Sequence, residues 1–256
     1  MIVLISPAKS IDFNKQISIN KFTIPELLDH SEILITELKK KSPNKLMDMM
    51  KVSSKLAYLN YERFQQWQTP FTTENARQAV FVFSGEVYTG LKVDSFSKSD
   101  LEYAQLHLGI LSGLYGFLRP LDLIQPYRLE MGTSFKTKKW KDLYHFWGTQ
   151  ITDSIQSKLD TGAYKPILIN LASNEYFKAL QTERLNAQIV TPVFKEFHNG
   201  AYKFMSVFGK KARGMMAAYI IKNKIQDPEQ LKLFDMEGYY YNDRLSSEIE
   251  FVFTRG

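Results

Sequence analysis

At 256 residues, 44% hydrophobic and 23% charged, the chain has the composition of a globular protein with a sizeable core, not of a disordered or fibrous one. It contains no cysteine, which excludes disulfides, thiolate metal sites, Cys nucleophiles and Cys-ligated clusters. Thirty-three Lys and Arg against 27 Asp and Glu leave a net charge of +6, and that surplus equals the six cations of one acid-free stretch between Glu196 and Asp227: Lys203, Lys210, Lys211, Arg213, Lys222 and Lys224.

In chain order, Ile2 to Ile5 reads as a short buried strand, and Pro7 turns the next residues, Ser6 to Ser10, into a loop. Thr23 and Glu26 around Pro25 have the spacing of a capping box, with a helix through Leu38 that ends in Lys39, Lys40 and Lys41. Ser42-Pro43 and Ser53 open two more helices, the second ending near Trp67. Val80 to Phe83 is expected as a strand running into Ser84-Gly85-Glu86. Ser99 and Glu102 are expected to cap a helix through Leu111 that Gly113 and Gly116 then break. Pro126 to Glu130 is polar and turn-forming, and Asp142 to Leu159 has the periodicity of one amphipathic helix. A buried strand, Pro166 to Asn170, precedes a helix opened by Ser173. Gln188 to Phe197 and Tyr202 to Val207 flank Asn199-Gly200, the strongest hairpin signal in the chain. A helix from about Phe208 to Lys224 follows, then strands at Tyr239 to Tyr241 and Ile249 to Phe253.

This irregular alternation, without a linker or repeat, predicts an α+β (mixed α/β) fold: one compact domain, residues 1–256, with a mixed sheet flanked by helices. The longest apolar run, Met215 to Ile221, is far shorter than the ~18 residues of a membrane span. Ile2 to Ile5 is too short for a signal-peptide core. The expected molecule is a cytoplasmic monomer with no membrane contact. No two histidines have ligand spacing, and the suitably spaced Asp142 and His145 are a pair of the kind that arises by chance, so no metal and no cofactor are expected.

On a helical wheel the 208–224 segment places Phe208, Ala212, Met215, Met216 and Tyr219 on one stripe, expected as core. Lys210, Arg213 and Lys224 fall opposite, beside Gly214 and Ala217, a face where a partner's backbone could approach closely. A solvated helix face normally mixes both signs, so six cations with no anion point to a polyanion. Lys39 to Lys55 and Lys136 to Lys141 are also basic.

Several motifs taken together resemble the YaaA peroxide-stress protein family. They are Leu4-Ile-Ser-Pro-Ala-Lys-Ser10, Phe83-Ser-Gly-Glu-Val-Tyr88, Leu111 to Thr133, Phe146-Trp-Gly148, Asn170-Leu-Ala-Ser173 with Glu175-Tyr-Phe-Lys178, and Lys210-Lys-Ala-Arg-Gly214. The resemblance covers essentially the whole chain. It implies a bacterial protein of the hydrogen-peroxide response that limits iron-driven oxidative DNA damage and takes part in iron homeostasis. It also implies sequence-nonspecific binding of double- or single-stranded DNA through a basic cleft and a helix-hairpin-helix-like element, best matched here by Leu111 to Ile124. The cations expected on nucleic acid are Lys9, Arg119, Arg128, Lys210, Lys211, Arg213 and Lys224. The alternative is an enzyme for a small anionic or nucleotide-like substrate, with Lys9 and Glu86 as acid–base groups and Arg128 and Arg213 clamping the anion. Ser6, Ser84, Glu130, Asn170 and Ser173 complete the polar candidates; the same groups could equally form a structural ion-pair network.

Overall fold

The computed structural model describes residues 1–17, 19–161 and 165–256. Ile2-Val3-Leu4-Ile5 is apolar at every position, the pattern of a strand covered on both faces. It forms β1 (Ile2–Ile5), each residue at most 3% exposed. Helices α1 (Leu28–Lys39), α2 (Pro43–Met50) and α3 (Ser54–Gln66) come next. Ser42 and Ser53 cap α2 and α3 as expected, their hydroxyls accepting the backbone N–H of Lys45 and Leu56. The capping box expected at Thr23 does not form. The Thr23 hydroxyl instead donates to the buried Asp122 carboxylate at 2.6 Å, and Glu26 pairs with Lys158 and Arg119, so long-range charge partners displace the local cap.

The strand expected at Val80 to Phe83 is a buried helical turn, Ala79–Val82, and only Phe83–Ser84 is extended, pairing with Ser10–Ile11. The backbone N–H groups of Ala79 and Val80 donate to the carbonyls of Asp122 and Pro120, which binds the turn to a loop and leaves no ladder. Beyond it lie α4 (Glu86–Leu91) and α5 (Lys98–His107), the latter with a reciprocal cap of Ser97 and Asp100, two residues earlier than the expected Ser99 pair. That helix stops at His107, because the wholly buried β2 (Leu108–Ser112) joins β1 in register Val3 to Leu108 through Ile5 to Ile110. β3 (Gly116–Leu118) returns antiparallel to β2, with Gly116 at φ +67. Leu111 to Ile124 therefore contains no helix, and every residue in it except Arg119 is buried. The helix-hairpin-helix expectation for this segment is corrected: it is interior sheet and turn, with no surface to lay on DNA.

The single helix expected from Asp142 to Leu159 is two, α6 (Leu143–Trp147) and α7 (Gln150–Asp160), separated at Gly148, whose φ of +49 interrupts the helix. The remaining elements are β4 (Ile167–Leu171), α8 (Asn174–Phe177), β5 (Gln188–His198), β6 (Ala201–Lys203), α9 (Ser206–Asn223), β7 (Tyr240–Tyr241) and β8 (Glu250–Arg255). Asn199 at φ +51 and Gly200 at φ +79 make the tight β5–β6 turn that the Asn-Gly pair predicts.

The main sheet runs β7-β8-β5-β4-β1-β2-β3, with β6 paired to β5. β2, β1, β4, β5 and β8 are parallel neighbours in turn, while β3, β6 and β7 are antiparallel additions. The chain thus makes a single mixed α/β body. It builds outward from β1 through β2 and β3 on one side, then crosses to the other side for β4, β5 and β8. The strand order reverses between β1 and β4, and in open α/β sheets the crevice beyond the carboxyl ends at such a point is where ligands bind.

α9 packs on α4 and against β1, β4 and β5. Gly214 and Ala217, which the helical wheel turns outward, are buried: the partner that approaches their backbone is α4 of the same chain. A β-carbon on Gly214 would overlap the carbonyl oxygen of Val87, and one on Gly90 would overlap that of Lys211. Phe208, assigned to the core stripe, is 42% exposed, with the Arg255 guanidinium 5.1 Å from its ring. Gly214→Ala and Gly90→Ala are each expected to destabilise the protein by about 3 kcal/mol, since neither backbone can yield. Chemical denaturation of the two variants checks this.

Candidate functional site

A cleft of about 270 Å³ opens at the β1–β4 reversal, lined by Ser6 to Ser10, Ser84 to Tyr88, Glu130, Ser173, Glu175, Tyr176, Lys210 and Arg213. Each wall has a local cause. The 6–10 loop leaves the carboxyl end of β1, and pairing of Ser10–Ile11 with Phe83–Ser84 draws Ser84, Gly85 and Glu86 alongside it. Ser173 and Glu175 lie just past the carboxyl end of β4. Lys210 and Arg213, three residues apart and so adjacent on one helix face, close the far wall from α9.

The floor is tied across the reversal point. Ser6 Oγ donates to Ser173 Oγ at 3.3 Å and accepts the Ser173 backbone N–H at 2.8 Å, so the two loops leaving β1 and β4 are joined by hydroxyl and amide. Tyr88 donates its hydroxyl to the Ser6 carbonyl at 3.2 Å. Burial pushes the phenols of Tyr88 and Tyr176 well above their ordinary value, which keeps both protonated. Glu175 accepts the Gly132 backbone N–H at 2.9 Å.

The charges divide into two sets. Lys9 Nζ lies 2.6 Å from Glu130 Oε2 and Arg128 Nη2 lies 3.0 Å from Glu130 Oε1, so one carboxylate serves both cations. Arg128 and Glu130 side chains are 18% and 22% exposed, while Lys9 is 63% exposed. Lys210 and Arg213 have no carboxylate within salt-bridge distance among the described residues, and neither has Glu86 a cationic partner. The Arg213 guanidinium is half-buried and sits 5.6 Å above the Phe204 ring. Burial lowers its pKa, the mark of a cation desolvated without an anion.

Of the residues singled out from sequence, Ser6, Lys9, Ser84, Glu86, Glu130, Ser173, Lys210 and Arg213 meet in this cleft, and Arg128 touches it through Glu130. Asn170 is buried at the end of β4, where its Oδ1 accepts the Ala172 N–H and shapes the exit of the strand. Arg119 lies elsewhere, held by Asp122 at 2.8 Å, by Glu26 and by the Ile24 carbonyl. Lys211 pairs with Glu237 at 2.6 Å, and Lys224 caps the far end of α9. Sequence reasoning missed Tyr88, Glu175 and Tyr176 as wall residues; the first closes the Phe83 motif and the other two lie two and three residues after Ser173, where a strand's carboxyl end was already visible. Among the described residues no three His, Cys, Asp or Glu side chains gather closely enough to hold a metal ion. Among the same residues no helix is long and apolar enough to cross a membrane.

A family model described as "Peroxide stress protein YaaA" matches residues 1–245. The chain belongs to that family. It is similar over its whole length to UPF0246 proteins of Cellvibrio japonicus, at 52% identity over 98% of the relative, and of Colwellia psychrerythraea and Teredinibacter turnerae, each at 52% over 99%. In this YaaA-family chain the motif residues from distant segments converge on one cleft.

Glu130→Gln is expected to cost about 2 kcal/mol, because it leaves the largely buried Arg128 guanidinium without its counter-charge. Lys9→Ala, at the exposed end of the same trio, should cost less than ~1 kcal/mol. Thermal unfolding of both variants tests the ranking.

Proposed function

We propose that this peroxide-stress family protein binds DNA without sequence preference, through the β5–β6 hairpin and the first turns of α9, and that covering the duplex limits iron-driven oxidative damage. The carrying observation is the character of that surface. Phe197, Tyr202 and Phe204 are 53%, 37% and 50% exposed, and Lys195, Lys203 and Lys210 alternate with them. The hairpin's one carboxylate, Glu196, is already engaged by the Tyr239 hydroxyl and by Arg255 at 2.9 Å, so it does not oppose an incoming phosphate. Phe197 and Tyr202 pack edge to face at 5.3 Å, and Phe204 lies beneath Arg213, so the rings are held in place before any partner arrives.

The chemistry that fits such a surface is a phosphate backbone contacted by ammonium groups, with aromatic faces available to unpaired bases. Each lysine that neutralises a phosphate releases a counterion, so affinity falls as salt rises and carries little sequence information. The basic surplus of the chain is concentrated in this segment, whereas the cleft below it is mixed in sign. The contact is therefore assigned to the outer hairpin and rim, with Lys210 at the boundary. A DNA-covering role needs no bound iron.

The test is duplex affinity against salt for the parent and for Lys203→Ala combined with Lys210→Ala. The log–log slope should fall by about 2 in the double variant. An unchanged slope, or no binding by the parent at low salt, removes the assignment. Nicking of supercoiled plasmid by ferrous iron and peroxide should be slowed by the parent and not by the double variant at equal concentration.

A further inference from the structure

The geometry points to the cleft at the β1–β4 reversal as a binding site for a small phosphate monoester with a hydroxyl-bearing body, of the size of a pentose phosphate. The site is the inside of the cleft, and its ligand does not depend on DNA contact at the rim.

Four observations carry it. The first is position: the cleft lies beyond the carboxyl ends of β1 and β4 where the strand order reverses, and its floor is pinned by the Ser6–Ser173 bonds. The second is charge. Lys9 and Arg128 are ion-paired with Glu130, although Arg128 Nε is buried without a hydrogen-bond partner among the described residues, while Lys210 and Arg213 stand side by side on one wall without a carboxylate partner among the same residues. Two unbalanced cations on one wall match a dianionic phosphate better than a single carboxylate. The third is the state of Arg213. Its guanidinium is half-buried, makes no hydrogen bond among the described residues and is oriented by Phe204, so its donors are fixed and free on the cleft side. A partly desolvated guanidinium without an anion is costly to keep unless something else supplies one. The fourth is Glu86 at the start of α4, which lines the same cleft with Ser84 and has no cationic partner among the described residues, while Ser6 and Ser173 line the floor. The Glu86 carboxylate accepts from hydroxyl or amino groups and repels a second phosphate, so the ligand has an anionic end and a neutral, hydrogen-bonding end.

Size narrows the class. About 270 Å³ is close to the lower limit of roughly 300 Å³ for small-molecule sites, which suits a ligand with one ring. Pro7, Ala8 and Val87 provide apolar wall between the two polar ends, enough to pack against a furanose or a comparable ring.

Calorimetric titration of the whole protein with ribose 5-phosphate, ribose and inorganic phosphate separates the two halves of the site. Ribose 5-phosphate should bind saturably and more tightly than inorganic phosphate, and ribose should not bind. Arg213→Gln should weaken ribose 5-phosphate by about tenfold or more, as loss of one charge-assisted contact does. Lys210→Gln, at an exposed position that does not threaten folding, should act in the same direction. Glu86→Gln should weaken ribose 5-phosphate while leaving inorganic phosphate unchanged. The proposal is overturned if the parent shows no saturable binding, if inorganic phosphate or ribose binds as well as the ester, or if both cation variants bind like the parent. A Lys203→Ala variant that loses DNA but keeps ribose 5-phosphate would separate this site from the rim surface; one that loses both would overturn their independence.

Discussion

The helix α9 meets α4 with backbone against backbone, and this contact fixes where the chemistry of the molecule lies. Gly90 and Gly214 face the carbonyls of Lys211 and Val87 with no room for a β-carbon on either side. At that separation α9 cannot rotate or slide without a clash, so Lys210 and Arg213 are held on the cleft wall and Glu86, at the head of α4, is held at the same cleft. The same close approach removes Gly214 and Ala217 from the surface and divides the basic helix into a covered middle and two exposed ends.

The second constraint is β1, buried along its whole length between β2 and β4. Burying a Val, Leu or Ile side chain contributes roughly 1.5–3 kcal/mol relative to exposure, so four such residues in succession anchor the centre of the sheet. The loop after β1 must leave the sheet at its carboxyl end, and the loop after β4 leaves beside it. Ser6 and Ser173 are brought together by this topology across 167 residues of chain. Site and core are thus consequences of one arrangement: the sheet provides rigidity, and the loops at its end carry the polar groups.

Electrostatically the molecule separates two kinds of positive charge. Arg119, Lys158, Lys211 and Arg255 are committed to carboxylates and brace elements distant in sequence. Lys195, Lys203, Lys210 and Arg213 have no such partner among the described residues, and they cluster around the hairpin and the cleft. Net charge alone does not separate these groups; pairing does, since a cation beside a carboxylate has already been neutralised as far as a phosphate is concerned.

Much of this was legible from sequence where one residue type or a short local pattern decides the outcome. The four apolar residues of β1, the Ser42 and Ser53 caps, the Asn199-Gly200 turn and the span of α9 depend on local backbone chemistry, and the structure has them where the pattern puts them. The motif residues also identified eight of the cleft's side chains, because polar groups directly after buried strands had few structural duties. Where a distant partner overrides the local preference, the pattern misleads: Thr23 leaves its cap for Asp122, Leu108 to Leu111 leave a helix for the edge of β1, and Gly214 and Ala217 face α4 instead of solvent. The sequence by itself determined the composition of the basic segment, its elements and the identity of the polar groups. Only the tertiary structure decided which cations remain unpaired and which residues share a cleft, because both depend on contacts between segments that no local spacing encodes.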